Sequence, residues 1–200
     1  MSVWFCSDLH VGHLKVAETR GFDTAAEHDV SIFASLEETL KRGDQLWILG
    51  DVTVGGTGAE TQALSQLGTL AEILGVELHL IAGNHDSCHP MANRNSHTRQ
   101  RVFLEVFSSV QLFARRKIAG QPVLLSHFPY EGDHSETDRG VQYRLRDEGE
   151  WLLHGHTHSQ VAIDGTRQLH VGWDAWSRPV HLDEIADIII TAATTTEGNA

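Results

Sequence analysis

Two hundred residues, 40% hydrophobic and 21% charged, are the make-up of one globular domain and exclude a disordered or fibrous chain. With 27 acids against 15 bases the formal charge is −12, so stable binding to duplex DNA is not expected. No apolar run approaches the roughly eighteen residues of a membrane span, and two cysteines, Cys6 and Cys88, make no disulfide framework. The stretch from Met1 to Asp8 has no basic segment and reads as no signal peptide, so a reduced, cytoplasmic setting is the expectation.

Val3-Trp4-Phe5-Cys6-Ser7 is a run of β-formers that stops at Asp8 and predicts a buried first strand. Thr24 and Glu27 form a capping box for a helix whose Phe33, Leu36 and Leu40 share a face, with Gly43 as its stop. Leu46-Trp47-Ile48-Leu49 predicts a second strand, which ends in Gly50-Asp51. Leu64, Leu67, Leu70 and Leu74 then recur at helical spacing before Gly75. Leu78-His79-Leu80-Ile81 predicts a third strand, running into Gly83-Asn84-His85-Asp86. Strands alternating with helices imply a sheet with helical crossovers. The second half reads as β-rich. Residues 112–118 and 123–125 flank an Ala119-Gly120-Gln121-Pro122 turn, and residues 161–163 and 168–171 flank the hairpin dipeptide Asp164-Gly165. Two packed sheets with helices outside, in one domain over 1–190, follow from this pattern. Residues 87–100 and 129–140 read as polar loops, and 191–200 as a flexible tail.

Histidine, at 14 residues, is the unusual component, and its placement points to chemistry. The predicted strands and the segments between them stop at Asp8-Leu9-His10, Gly50-Asp51, Gly83-Asn84-His85-Asp86, Ser126-His127 and Gly155-His156-Thr157-His158. In sheets with crossover helices, ligands bind outside the carboxyl ends of the strands. Asp8, His10, Asp51, Asn84, His127, His156 and His158 can therefore gather around one point. Oxygen and nitrogen donors without a thiolate favour manganese, iron or zinc over a structural thiolate site.

The order DxH, GD, GNHD, H, GHxH over residues 8–158 resembles the calcineurin-like metallophosphoesterases. Val171-Gly172-Trp173-Asp174-Ala175-Trp176 also resembles small bacterial and phage members. The resemblance implies a four-layer αββα sandwich with two mixed sheets, and two divalent metal ions, with manganese foremost and iron or zinc as alternatives. It places Asp8, His10, Asp51 and His158 on one ion, and Asp51, Asn84, His127 and His156 on the other. His85 then faces the substrate as general acid, with Asp86 orienting its ring. The implied activity is a two-metal phosphodiesterase, in which a hydroxide shared by the ions attacks phosphorus in line. Small phosphodiesters are the expected substrates, cyclic nucleotides among them, with the strained 2′,3′ ring ahead of the 3′,5′ ring. A phosphomonoesterase, a DNA exonuclease or a non-catalytic metal-binding scaffold are the alternatives, and homo-oligomerisation stays open.

The chain also departs from its relatives. Val54 stands where many carry a second acid after the bridging Asp, and no Arg occurs at 52–55 or at Ala82. Clamping of phosphate by a basic side chain is thus unassigned. Arg94, Arg99 and Arg139, with His97 and His134, lie on the two polar loops and could reach substrate, as could His89 and the nearby His13. His79, His154 and His170 read as packed, His28 and His181 as helix-surface or cap residues, and Cys88 as incidental.

Overall fold

Phe5 and Cys6 are fully buried in β1 (Val3–Cys6), which pairs in parallel with β2 (Gln45–Ile48). The computed structural model describes residues 1–133, 135, 137, 139–163, 165 and 167–197. Strand β3 (Glu77–Ile81) continues the parallel set beside β2, and β4 (Ser109–Gln111) forms its outer edge. On the other side of β1 the short β9 (Val180–His181) runs antiparallel, so this sheet has the order β4-β3-β2-β1-β9. The second sheet has the order β5-β6-β7-β8, from β5 (Phe113–Ile118), β6 (Gln121–Ser126), β7 (Trp151–His154) and β8 (Gln168–His170). Its first pair is antiparallel and the others parallel. The protein is thus an α/β fold with two mixed sheets flanked by helices.

Period-two alternation sends neighbours in the first sheet to opposite cores. Cys6, Leu46, Ile48 and Leu80 face the helices α2 (Ala25–Thr39), α3 (Thr57–Leu74) and α4 (Ser96–Phe103), meeting Ile32, Leu36, Leu67 and Phe103. Phe5, Trp47 and Ile81 face the second sheet and pack with Val123, Leu125, Leu153 and Leu169. Each fully buried side chain of this size contributes on the order of 2 kcal/mol.

The capping box forms as predicted: Thr24 Oγ1 accepts from Glu27 N at 3.1 Å and Glu27 Oε2 from Thr24 N at 3.2 Å. Gly75, left-handed at φ 68°, ends α3. The turn after β5 is tighter than the four residues expected. Ile118 pairs with Gln121, leaving Ala119 (φ 50°) and Gly120 (φ 80°) as a two-residue turn of the kind that matches strand twist.

Helix α4 begins inside the stretch read as a polar loop, because Ser-His-Thr-Arg-Gln-Arg carries no apolar period until Phe103. The stretch from Thr191 does not fray at once. It continues α6 (Leu182–Glu197), whose Ile185 and Ile189 are buried in the inter-sheet core and whose Thr191 hydroxyl donates to the Asp187 carbonyl at 2.8 Å. The predicted hairpin near residue 165 survives as an antiparallel bridge from Ile163 to Leu169, while β8 pairs in parallel with β7; Asp164 and His134 lie outside the described residues. Among the described residues no helix is long and apolar enough to cross a membrane.

Candidate metal centre

The parallel strands deliver their C-terminal residues to one place, and the backbone there is bent to do it. Among the described residues, five of the seven non-glycine positions with positive φ are Asp8 (58°), His10 (49°), Asp51 (54°), His156 (69°) and His158 (52°). A side chain in that region costs on the order of 1 kcal/mol or more, and such strain concentrates at functional sites. The bends are tied to each other. Asp8 N donates to Gly50 O and His10 N to Asp51 O, both at 3.0 Å, which locks the loop after β1 to the loop after β2. Gly155 N reaches His127 O at 3.0 Å, and His156 N donates to both Asp8 carboxylate oxygens at 3.1 Å, joining the two sheets. Glycine is required at the crossing points: a Cβ at Gly83 would run into the Asp51 carboxylate, and one at Gly155 into the Ser7 hydroxyl.

Two groups of donors result. Asp8, His10 and His158 form one and Asp51, His127 and His156 the other, each with its ligand atoms within 4.8 Å of one another. Asp51 Oδ2 lies 3.4 Å from His127 Nε2 and 3.8 Å from His10 Nε2, between the two groups. Asn84 joins the second through Oδ1, 3.0 Å from His127 Nε2. Thus all seven predicted ligand positions come together.

The donor set fits divalent cations. Asp8 and Asp51 are buried carboxylates facing imidazoles. Burial pushes the Asp51 carboxyl up, but the His127, His10 and His85 rings prevail and hold it below the usual carboxylate range. Burial lowers His10 to about 3 and His156 to about 4, so both are neutral near pH 7 with lone pairs to offer. Outer partners orient two further rings. His127 Nδ1 donates to Leu49 O at 2.7 Å and His158 Nδ1 to Asp174 Oδ2 at 2.9 Å, leaving Nε2 of each ring towards the cluster. Burial lowers both rings, but Asp51 raises His127 to about 9 and Asp174 raises His158, so a bound cation would displace a proton from Nε2 of each.

His85 sits at the mouth, its side chain 39% exposed, with Nε2 4.0 Å from Asp51 Oδ2 and its backbone N donating to Asp51 Oδ1 at 2.9 Å. Asp86 has a different task from the one read in the sequence. Its carboxylate accepts from Asp51 N (3.0 Å), Val52 N (3.0 Å) and Gly83 N (2.8 Å), so it holds the GD turn rather than the His85 ring. The reason is local. Strands β2 and β3 end side by side, and their turning backbones present N–H groups that a buried carboxylate at 86 satisfies.

The loop residues separate clearly. Arg99 is committed to Glu60, with Nε on Ser87 Oγ at 2.9 Å, and fastens α4 to α3. Arg139 binds Asp133 through its backbone N at 2.9 Å and through Nη2 at 3.4 Å. Arg94 and His97 are exposed, and His89 is buried against Phe128 and Tyr143. His154 and His170 are packed with no exposure, and His79 stacks on Trp47. His181 caps α6 by accepting from Asp183 N at 3.2 Å. His28 is not on a helix surface: it is fully buried, with Nε2 2.9 Å from Arg20 Nη1 and Nδ1 3.2 Å from Asp29 Oδ1.

That histidine belongs to a network that sequence reasoning missed. Arg20 grips Asp174 with two hydrogen bonds, of 3.0 and 2.7 Å, and donates to the Asp8 carbonyl at 2.8 Å. The Gly172-Trp173-Asp174 block was the available signal for Asp174; nothing in the sequence marked Arg20. Asp133 was also missed, although its Oδ1 lies 3.4 Å from His156 Nε2.

A cavity of about 710 Å³ opens from the donor groups along α1 (Leu14–Thr19), bounded by His10, His13, His85, His158, Lys15 and Phe22 among others. Its size suits a small substrate.

The profile of the calcineurin-like phosphoesterase superfamily domain matches residues 1–172. The chain is 43% identical over 199 residues to the Gene 66 protein of Mycobacterium phage L5, covering 94% of each. It is 43% identical over 196 residues to the Gene 66 protein of Mycobacterium phage D29, covering 94% of this chain and 96% of that one. In fold it is similar to the crystal structure of AQ665 from Aquifex aeolicus, with a TM-score of 0.66 at 20% identity over 94% of this chain and 98% of the other. With the profile spanning both donor groups, the chain belongs to the calcineurin-like phosphoesterase superfamily and is a metal-dependent hydrolase of phosphate esters.

Proposed function

We propose that this protein is a two-metal phosphodiesterase acting on small substrates. In this reading Asp8, His10, Asp51 and His158 hold one divalent ion, and Asp51, Asn84, His127 and His156 the other. The observation that carries it is the position of Asp51 Oδ2 between the two donor groups. When bound, the ions supply Lewis-acid charge to phosphate oxygens and acidify a coordinated water. The chain's own residues do the rest. Leu49 O and Asp174 aim the His127 and His158 rings, the His85 backbone N steadies Asp51, and the half-exposed His85 ring can pass a proton to a leaving alkoxide oxygen. Manganese suits this oxygen and nitrogen set, as do iron and zinc.

Charge favours a diester. The metal-facing donors are two carboxylates, imidazoles that coordinate as neutral rings and an amide, and the arginines nearest the donors each meet a carboxylate. Arg20 is held by Asp174, Arg99 by Glu60 and Arg139 by Asp133, while Lys15 at the rim meets Glu18 at 3.4 Å. A monoanionic diester needs less positive charge than a dianionic monoester. Among cyclic diesters the 2′,3′ ring, strained in the ground state, relaxes as phosphorus becomes five-coordinate and demands less of the protein. With Mn²⁺, kcat/KM is expected to be higher for 2′,3′- than for 3′,5′-cyclic nucleotides, and higher for bis-aryl than for mono-aryl phosphate. A preference for the monoester would overturn the charge argument, and a preference for the 3′,5′ ring the strain argument.

Asp174 provides a separate check on the assignment of the first ion. Asp174→Ala removes the acceptor for His158 Nδ1 and frees Arg20, so affinity for one of the two ions is expected to fall about 10–100-fold. Titration of the metal-free protein with Mn²⁺ measures this directly. Two unchanged binding steps in that variant would remove His158 from the ligand set.

A further inference from the structure

Among the described residues that line the cavity the one arginine is Arg20, and Asp174 holds it, yet a phosphate ester needs donors besides the ions. The ring of His13 is suitably placed. It lies 5.3 Å from the His10 ring and 6.3 Å from the His85 ring, centre to centre, on the same cavity wall. It is also the N-cap of α1, where its Nδ1 accepts the Val16 N–H at 3.5 Å. A nitrogen that accepts carries no proton, so the ring is neutral and its hydrogen is on Nε2, on the side away from the helix turn.

We infer that His13 is a substrate-contacting residue, a neutral donor whose Nε2–H binds a phosphate oxygen in place of an arginine clamp. Helix capping thereby sets the tautomer that recognition uses. A neutral donor stabilises a phosphate oxygen without adding the full charge that would reward a dianion, so His13 also acts on the choice of diester over monoester. The inference rests on the two-metal diesterase reading above.

The two ways of replacing this ring separate its roles. His13→Asn keeps a good helix cap but loses the reach of Nε2; His13→Gln keeps an N–H donor at that reach. The probe is diphenylphosphinate, a monoanionic tetrahedral mimic with no bond to hydrolyse, whose affinity for the Mn²⁺-loaded protein is measured by calorimetry. His13→Asn is expected to bind it about tenfold more weakly than wild type, with metal content and Tm unchanged. His13→Gln is expected to recover most of the affinity. Unchanged binding in His13→Asn, or a Gln variant no better than Asn, would overturn the inference. Failure of the wild-type protein to hydrolyse bis-aryl phosphate would instead overturn the diesterase reading beneath it.

Discussion

Asp51→Ala is expected to lose metal at both positions and more than about a thousandfold in hydrolysis, beyond the 10–100-fold typical of losing an outer partner. Asp51 Oδ2 stands 3.4 Å from His127 Nε2 and 3.8 Å from His10 Nε2, so one oxygen lies between the two donor groups and is proposed to serve both. Its other oxygen accepts the His85 N–H at 2.9 Å, so truncation also releases the loop that carries His85, the proposed general acid. Asn84→Ala supplies the contrast. An amide is a neutral, weaker ligand, and Asn84 is close to the second group only, so its loss is expected to weaken one ion and leave the other in place. Metal analysis after gel filtration, paired with turnover of bis-aryl phosphate, distinguishes these patterns. Two tightly held ions and normal turnover in Asp51→Ala would refute the bridging assignment.

His85→Ala is expected to keep both ions and to lose rate according to the leaving group. Protonation of the departing oxygen contributes typically about 10²–10⁴-fold, and a ribose alkoxide needs it far more than a nitrophenolate does. The loss is therefore expected to approach that range for cyclic nucleotides and to be much smaller for aryl esters. Equal losses on both substrates would exclude His85 as the acid. Asp86→Ala should behave differently, because its carboxylate accepts three backbone N–H groups and is not on the His85 ring. Leaving those donors unsatisfied costs about 1–3 kcal/mol apiece. The expected signature is a lowered Tm with equal rate losses on alkoxide and aryl substrates.

The contrast between His85 and Asp86 shows what was legible in the chain. Side chains that converge because parallel strands end together could be read from the order of the blocks alone, and the seven donors do gather. Strands β1, β2 and β3 and the caps of α2 and α3 were equally legible, since each carries a local signal: a β-rich run, a capping box, a left-handed glycine. What a side chain does with backbone groups from another strand has no local signature, and this is why Asp86 was given the wrong partner. Arg20 is the same case on a longer scale. It joins Asp8, His28 and Asp174 across up to 154 residues of sequence, through contacts that exist only once α1 and α5 (Trp173–Trp176) are in place. Helix α4 was missed because its first six residues are polar. Its anchoring comes from Phe103 and from the ion pair of Arg99 with the buried Glu60 rather than from an apolar stripe.

Strain points the same way. Asp8, His10, Asp51, His156 and His158 all hold positive φ, which few other non-glycine residues do among those described. Sequence pattern cannot reveal that these positions oppose their own backbone preference. The surrounding ties, from Gly50 O to Asp8 N and from the Asp8 carboxylate to His156 N, over-determine the bends and keep the donors fixed.

The most direct test of the two-metal account is the number of Mn²⁺ ions bound per chain, measured by titrating the metal-free protein while following hydrolysis of bis-aryl phosphate. The account predicts two ions per chain, with turnover appearing only as the second position fills. Full turnover with a single bound ion, or with both donor groups empty, would contradict it.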